Sequence, residues 1–265
     1  MSLVPRVWIP AFLMIGLAAC AEPVPPADPA DPAAAAAPAV PEDLGDQSVL
    51  IERLTQLVGS APDALQAAPV PGMIEARWGT NFAYVTPDGQ HVIYGDMLNL
   101  ETGAAITETS RKQMRISAIG ELGEENMISF LPESPQQVVT VFTDIDCGYC
   151  RKMHREMEDY HAAGIGIRYV FYPRSGPGTE SFRKAEAVWC AEDRKAMLTK
   201  AKEGASVSGP NDCANPVLRE FQLGQEIGLR GTPMIVLPDG GVVNGYVPAA
   251  ALAAQFNPKS APTGG

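Results

Sequence analysis

The stretch Asp144-Ile145-Asp146-Cys147-Gly148-Tyr149-Cys150-Arg151-Lys152 limits what this chain can fold into more than any other. Val138 to Phe142 before it is apolar and largely β-branched and reads as a buried strand, while Met153, Met157 and Tyr160 after it recur at helical spacing. Strand, two cysteines and helix, in that order, put Cys147 at or just before the first helical turn. There the unsatisfied backbone N–H groups and the positive end of the helix dipole favour a thiolate. A lowered thiol pKa makes Cys147 the attacking sulfur. Cys150 lies about one turn further into the helix, near enough to close a small disulfide ring and too shielded to attack first. Cys147 therefore reads as nucleophile and Cys150 as resolving thiol.

Half of a zinc site is the competing reading of a C-x-x-C pair. Zinc knuckles usually set the pair in a tight turn and supply a second close pair, whereas Cys190 and Cys213 are widely separated. No metal and no cofactor is expected. The chain carries 20 basic and 31 acidic residues, a formal charge of −11, with no run of Lys or Arg. A nucleic-acid partner thus has no electrostatic support, and the acidity serves solubility. Its 265 residues, 46% of them apolar, leave room for one large domain or two small ones around a core.

Residues 1–20 suggest an address. Arg6 supplies a positive start, Val7 to Leu17 is apolar but too short to span a bilayer, and Leu17-Ala18-Ala19-Cys20 follows. This resembles a bacterial lipobox, which implies lipidation of Cys20 and a membrane tether. An ordinary secretory signal cut after Ala19-Cys20-Ala21, which removes Cys20, is the alternative. Both export the chain. Four cysteines then remain in an oxidising compartment, and Cys190 with Cys213 is expected to form a structural disulfide. It would close a loop of about 24 residues and contribute on the order of 3 kcal/mol.

Residues 22–42 are rich in Pro and Ala and read as an extended spacer. Val49, Leu50, Leu54, Leu57 and Val58 form the stripe of a first helix ending near Gly59-Ser60. Strands are expected over Met73 to Trp78, Asn81 to Val85 and His91 to Leu100, with a Pro87-Asp88-Gly89 turn between the last two. His91 reads as a surface or packing residue. A connecting helix spans 109–122 and a further strand lies within Glu124 to Leu131. Then come a strand over Val138 to Phe142, a helix from Tyr149 to about Ala162, and a strand from Ile165 to Tyr172. Helix in one or two pieces follows from Thr179 to about Gly204, then a helix over Val217 to Ile227 with Asn215 as cap and Pro216 at its first position. A hairpin of Met234 to Leu237 and Val242 to Tyr246 and a helix over Ala249 to Phe256 complete the pattern. Thr232-Pro233 opens the hairpin, where a proline costs a donor and calls for a reason such as backbone geometry beside a site.

Several segments together resemble the periplasmic thiol:disulfide interchange proteins of the DsbC/DsbG type. They are Pro71-Gly72-Met73, Thr86-Pro87-Asp88-Gly89, Val139-Thr140-Val141-Phe142-Thr143-Asp144 with Cys147-Gly148-Tyr149-Cys150, Arg168-Tyr169 with Tyr172-Pro173-Arg174, Val188-Trp189-Cys190-Ala191, and Gly231-Thr232-Pro233. The resemblance implies an α+β chain: an N-terminal cystatin-like dimerisation domain, a linker helix, and a C-terminal thioredoxin-like domain with a helical insertion. It implies Cys147 and Cys150 as the redox pair, Thr232 and Pro233 as a cis-proline loop that binds substrate, and Cys190–Cys213 as the structural disulfide. Dimerisation would use the strand around His91 to Met97. The organisation expected is a signal peptide with lipobox over 1–20, a linker over 21–43, the dimerisation domain over 44–108, a linker helix and strand over 109–135, the catalytic domain over 136–257, and a disordered tail over 258–265.

The implied activity is isomerisation or reduction of non-native disulfides in misoxidised exported proteins, by a periplasmic homodimer kept reduced by an inner-membrane thiol donor. Two other readings stay open: a dedicated disulfide reductase or oxidase, and a tethered chaperone with incidental thiols. Asp146 departs from the pattern, since a carboxylate beside Cys147 should oppose its ionisation.

Overall fold

A computed structural model describes residues 47–207 and 209–256. The signal, lipobox and spacer expected over 1–43, Cys20 with them, and the tail expected over 258–265 lie outside the described residues.

The N-terminal part pairs one helix with one antiparallel sheet. Helix α1 (Ser48–Val58) buries Leu54 and stops at Gly59, whose φ of +90° suits glycine and whose N–H returns to the Thr55 carbonyl. Strands β1 (Ala64–Ala67), β2 (Ile74–Trp78), β3 (Asn81–Val85) and β4 (Val92–Tyr94) follow in the order β1-β2-β3-β4. The core is small: Leu54, Ile74, Ala76 and Val85. The strand expected over His91 to Leu100 is shorter than that. It ends at Gly95 (φ +136°), where the chain turns away, and resumes pairing only in a Leu98–Ala105 bridge. Strand β1 was not anticipated.

Helix α2 (Ile106–Leu122) starts three residues before the expected helix and joins the two sheets. Its first half is bonded to the N-terminal sheet. Thr107 Oγ1 meets Tyr84 and the Met97 N–H, Ser110 donates to the buried Glu75, and Arg111 reaches Asp96 and the Thr80 carbonyl. Its second half lays Met114, Ala118, Ile119 and Leu122 on the C-terminal part. Arg115 donates to the Gly240 carbonyl, and Gly240 has φ +79° where a side chain would run into the Lys112 carbonyl.

After a single 3₁₀ turn (Glu124–Asn126) the second sheet takes the order β5-β7-β6-β8-β9. Its strands are β5 (Ile128–Phe130), β6 (Gln137–Thr143), β7 (Ile165–Phe171), β8 (Met234–Val236) and β9 (Val242–Asn244). Central β6 runs parallel to β7 and antiparallel to β8. The helix expected over 149–162 is two, α3 (Gly148–Arg155) and α4 (Met157–Ala162), divided at Glu156. Helices α5 (Glu180–Trp189), α6 (Arg194–Lys202) and α7 (Val217–Glu226) are inserted between β7 and β8, and α8 (Ala249–Phe256) closes the chain. Pro216 stands just outside α7 rather than at its first position, and Asn215 Oδ1 accepts from the Val217 N–H. Apolar layers line both faces of this sheet.

Candidate functional site

Strand β6 is the middle strand of its sheet, and Val139, Val141 and Phe142 are fully buried. The chain leaves it at Asp144, whose carboxylate accepts from the N–H groups of Asp146 and Arg174, from Arg174 Nε and from the Ser181 hydroxyl at 2.8–3.0 Å. Burial alone would raise this carboxyl, but those donors, Arg174 foremost, hold it below its usual value. A fixed Asp144 shapes the loop that delivers Cys147 to the head of α3.

Cys147 is the capping residue of α3, and its sulfur accepts from the Cys150 N–H at 3.4 Å. Across the cleft lies the segment before β8. Its Thr232–Pro233 bond is cis, and the Thr232 carbonyl sits 3.2 Å from Cys147 Sγ. Hydrogen bonding from the Cys150 side chain pulls the Cys147 thiol down to about 5, helped by the Thr232 side chain, the Cys150 N–H and the Arg174 charge and opposed by burial. Cys150 moves the other way, raised by burial and by its contact with Cys147. Both cysteines are free and buried, at 3% and 1% exposure. Little surface of either thiol is exposed, and the two differ in what acts on them: hydrogen bonding dominates at Cys147 and burial at Cys150.

The expected opposition from Asp146 is not what the geometry supports. Its carboxylate is taken up by Lys184 Nζ at 3.2 Å and Arg151 at 3.3 Å, so Cys147 does not face an uncompensated negative charge. Cys190 and Cys213 are bonded to each other, tying the end of α5 to the segment before α7. Among the described residues no group of His, Cys, Asp or Glu has metal-binding geometry.

Three buried polar residues near this sheet were not singled out from the sequence. Lys202 is completely enclosed at the end of α6. His154 is held between the Tyr169 hydroxyl and Thr199 and is lowered to about 4 by burial and the Lys202 charge, which keeps it neutral. Glu220 on α7 is enclosed with neither carboxylate oxygen hydrogen-bonded, and burial drives its carboxyl well up. Thr143, Tyr149 and Tyr246 complete the surroundings, the two tyrosine rings stacking 6.4 Å apart beside the cysteines.

Comparison with known proteins covers both parts of the chain. A family model described as a thioredoxin-like domain matches residues 124–258, and one described as the N-terminal domain of a disulfide bond isomerase protein matches residues 28–108. The chain is 35% identical over 198 residues to the thiol:disulfide interchange protein DsbC of Escherichia coli K12, covering 75% of this chain and 82% of that one. It is 37% identical over 201 residues to DsbC of Salmonella typhimurium, covering 76% and 83%. A solved disulfide interchange protein from Neisseria gonorrhoeae aligns with a TM-score of 0.44 at 27% identity, over 51% of this chain and 96% of that one.

Proposed function

The chain belongs to the DsbC family of thiol:disulfide interchange proteins, and from that premise we propose that it isomerises or reduces non-native disulfides in exported proteins through Cys147 and Cys150. The observation that carries this reading is the capping position of Cys147, whose thiol is held at about 5 while Cys150, one turn behind, stays protonated. At neutral pH the first is a ready thiolate and the second a reserve.

Cys147 attacks a client disulfide, one client sulfur leaves, and a mixed disulfide forms. If the freed client thiol attacks another bond, the client is re-paired and Cys147 is released. If Cys150 attacks instead, the client leaves reduced and the enzyme is oxidised. A donor at the inner membrane would then restore the dithiol. Thr232 and Pro233, facing Cys147, offer backbone groups to an extended client segment.

Homodimerisation is part of the same proposal. Strand β4 is the edge of its sheet and exposes Ile93 and Tyr94, a row of unpaired backbone and apolar surface that a second copy would cover. The periplasm is the compartment we assign, with Cys20 as the lipid tether. Among the described residues no helix is long and apolar enough to cross a membrane.

The test is reactivation of a scrambled multi-disulfide protein by the full chain. Recovery should vanish with Cys147→Ala and fall when residues before 106 are removed. A Cys147→Ala protein that still restores activity would overturn the enzymatic reading and leave a chaperone with incidental thiols.

A further inference from the structure

A lysine with no exposed surface is uncommon unless its charge is used or neutralised. Lys202 has 0% exposure. Its Nζ donates to Thr143 Oγ1 at 2.6 Å and to the Asp144 carbonyl at 2.8 Å, the last residue of β6 and the first of the loop leading to Cys147. The Asp144 carboxylate is turned instead to Arg174 and Ser181. The Thr143 side chain and the Asp144 backbone also reach the Cys150 thiol. One threonine therefore bridges the ammonium group and the resolving sulfur.

The groups facing this lysine are few. They are the two cysteine sulfurs and Arg151 on α3, Asp144 on the loop, the Tyr169 ring at 5.8 Å on β7, and the neutral His154. Burial lowers Lys202 to about 8 against the pull of Cys150 and Asp144, so it is still mostly charged at pH 7.

We propose that Lys202 is a positioning residue for the second step of exchange: acting through Thr143, its charge makes Cys150 ionisable and so sets how often the enzyme escapes by reducing its client. This rests on the reading of Cys147 as nucleophile given above. In that step the Cys150 S–H bond breaks and an S–S bond to Cys147 forms. The bond from Cys147 to the client sulfur breaks, and the Cys150 proton ends on that sulfur, which leaves as a thiol. Cys150 is oxidised, the client sulfur is reduced, and Lys202 keeps its proton throughout. A weaker Lys202 effect leaves the mixed disulfide waiting for a client thiol, which is the isomerising route.

Stopped-flow reaction of the reduced full chain with 5,5′-dithiobis(2-nitrobenzoate) separates the steps, because attack by Cys147 and then by Cys150 each release one thionitrobenzoate. Lys202→Met should leave the first release within about twofold and slow the second about tenfold at pH 7. The basis is loss of the positive charge that favours the Cys150 thiolate, partly offset by the greater nucleophilicity of a more basic sulfur. The pH at which the second release reaches half its maximum should rise. Lys202→Arg, which keeps the charge, should restore most of the rate. Thr143→Val, nearly the same shape, should slow the second release alone, and it tests the bridge should the lysine variant not fold. A second release unchanged in rate and pH profile in Lys202→Met, or in Thr143→Val in its place, would overturn the inference, as would equal slowing of both phases. No fast first release in the unaltered chain would instead count against Cys147 as nucleophile.

Discussion

The two sheets of this molecule solve the problem of stability differently. Around β6 the C-terminal sheet is covered on both faces, and its strands, helices and the Cys190–Cys213 bond enclose residues such as Val139, Tyr160, Phe171 and Leu198 completely. The N-terminal sheet has α1 and the first half of α2 against it, an apolar core of Leu54, Ile74, Ala76 and Val85, and a free edge at β4. It also exposes Val49, Leu57, Ile93, Tyr94, Leu98 and Leu100. A small sheet with one thin core layer buries little surface per residue and depends on what is laid over it. The contrast is one of enclosure: buried residues are concentrated around the two cysteines, and exposed apolar side chains are concentrated around the β4 edge.

Separating the halves attacks this contrast most directly. Residues 106–256 alone, keeping α2 over the apolar layer at Leu122, Phe142 and Leu223, should unfold cooperatively in urea and keep a reactive Cys147. Residues 47–105 alone should show no cooperative transition by circular dichroism. A sharp transition from the smaller piece would erase the difference. Next in size, Cys190→Ala with Cys213→Ala should cost about 3 kcal/mol, read from the denaturation midpoint of the C-terminal half. A loss confined to the N-terminal half would place the stabilisation wrongly.

Glu220→Gln should work the other way. Burial raises this carboxyl, so the folded form keeps a proton that the unfolded chain releases above its ordinary value of 4.5. Stability therefore falls as pH rises from there, and the amide removes that loss. The variant should be more stable than the unaltered chain at pH 7, and that gain should disappear as pH falls below about 4. Smallest in stability is Ile93→Lys on the exposed edge, within about 0.5 kcal/mol for the folded subunit. Sedimentation should nevertheless show a dimer giving way to monomer. Unchanged association would move the interface off β4.

Much of the C-terminal half was legible in the sequence. The β-branched run before Cys147, the helical spacing after it, and Gly231-Thr232-Pro233 are local patterns, and local geometry enforces them. The inserted helices were readable as well, the first from Thr179 onward and α7 over Val217 to Ile227, and the structure adds that Thr179 caps α5. The N-terminal half was harder. Strand β1, Ala64–Ala67, has no β-branched residue and exists because Ala64 to Ala67 pair across to Arg77 to Ile74. The strand after His91 stops where Gly95 takes a φ that no pattern of apolar residues announces.

At the site, residue types were legible and surroundings were not. Lys202 stands two residues after Lys200 in a stretch that reads as a solvated helix face, and only packing against β6 and α3 encloses it. Glu220 follows Arg219 and likewise resembles surface. Asp146 was visible as a charge beside Cys147, but its partner Lys184 lies 38 residues away on α5, so its neutralisation depended on the tertiary fold.

The pH dependence of alkylation at Cys147 bears on the central claim without intermediaries. Reduced full chain treated with iodoacetamide, with each cysteine followed by mass spectrometry, should label Cys147 first and reach half its limiting rate near pH 5. Half-maximal labelling near pH 8.5, the range of an ordinary cysteine, or labelling of Cys150 ahead of Cys147, would contradict it.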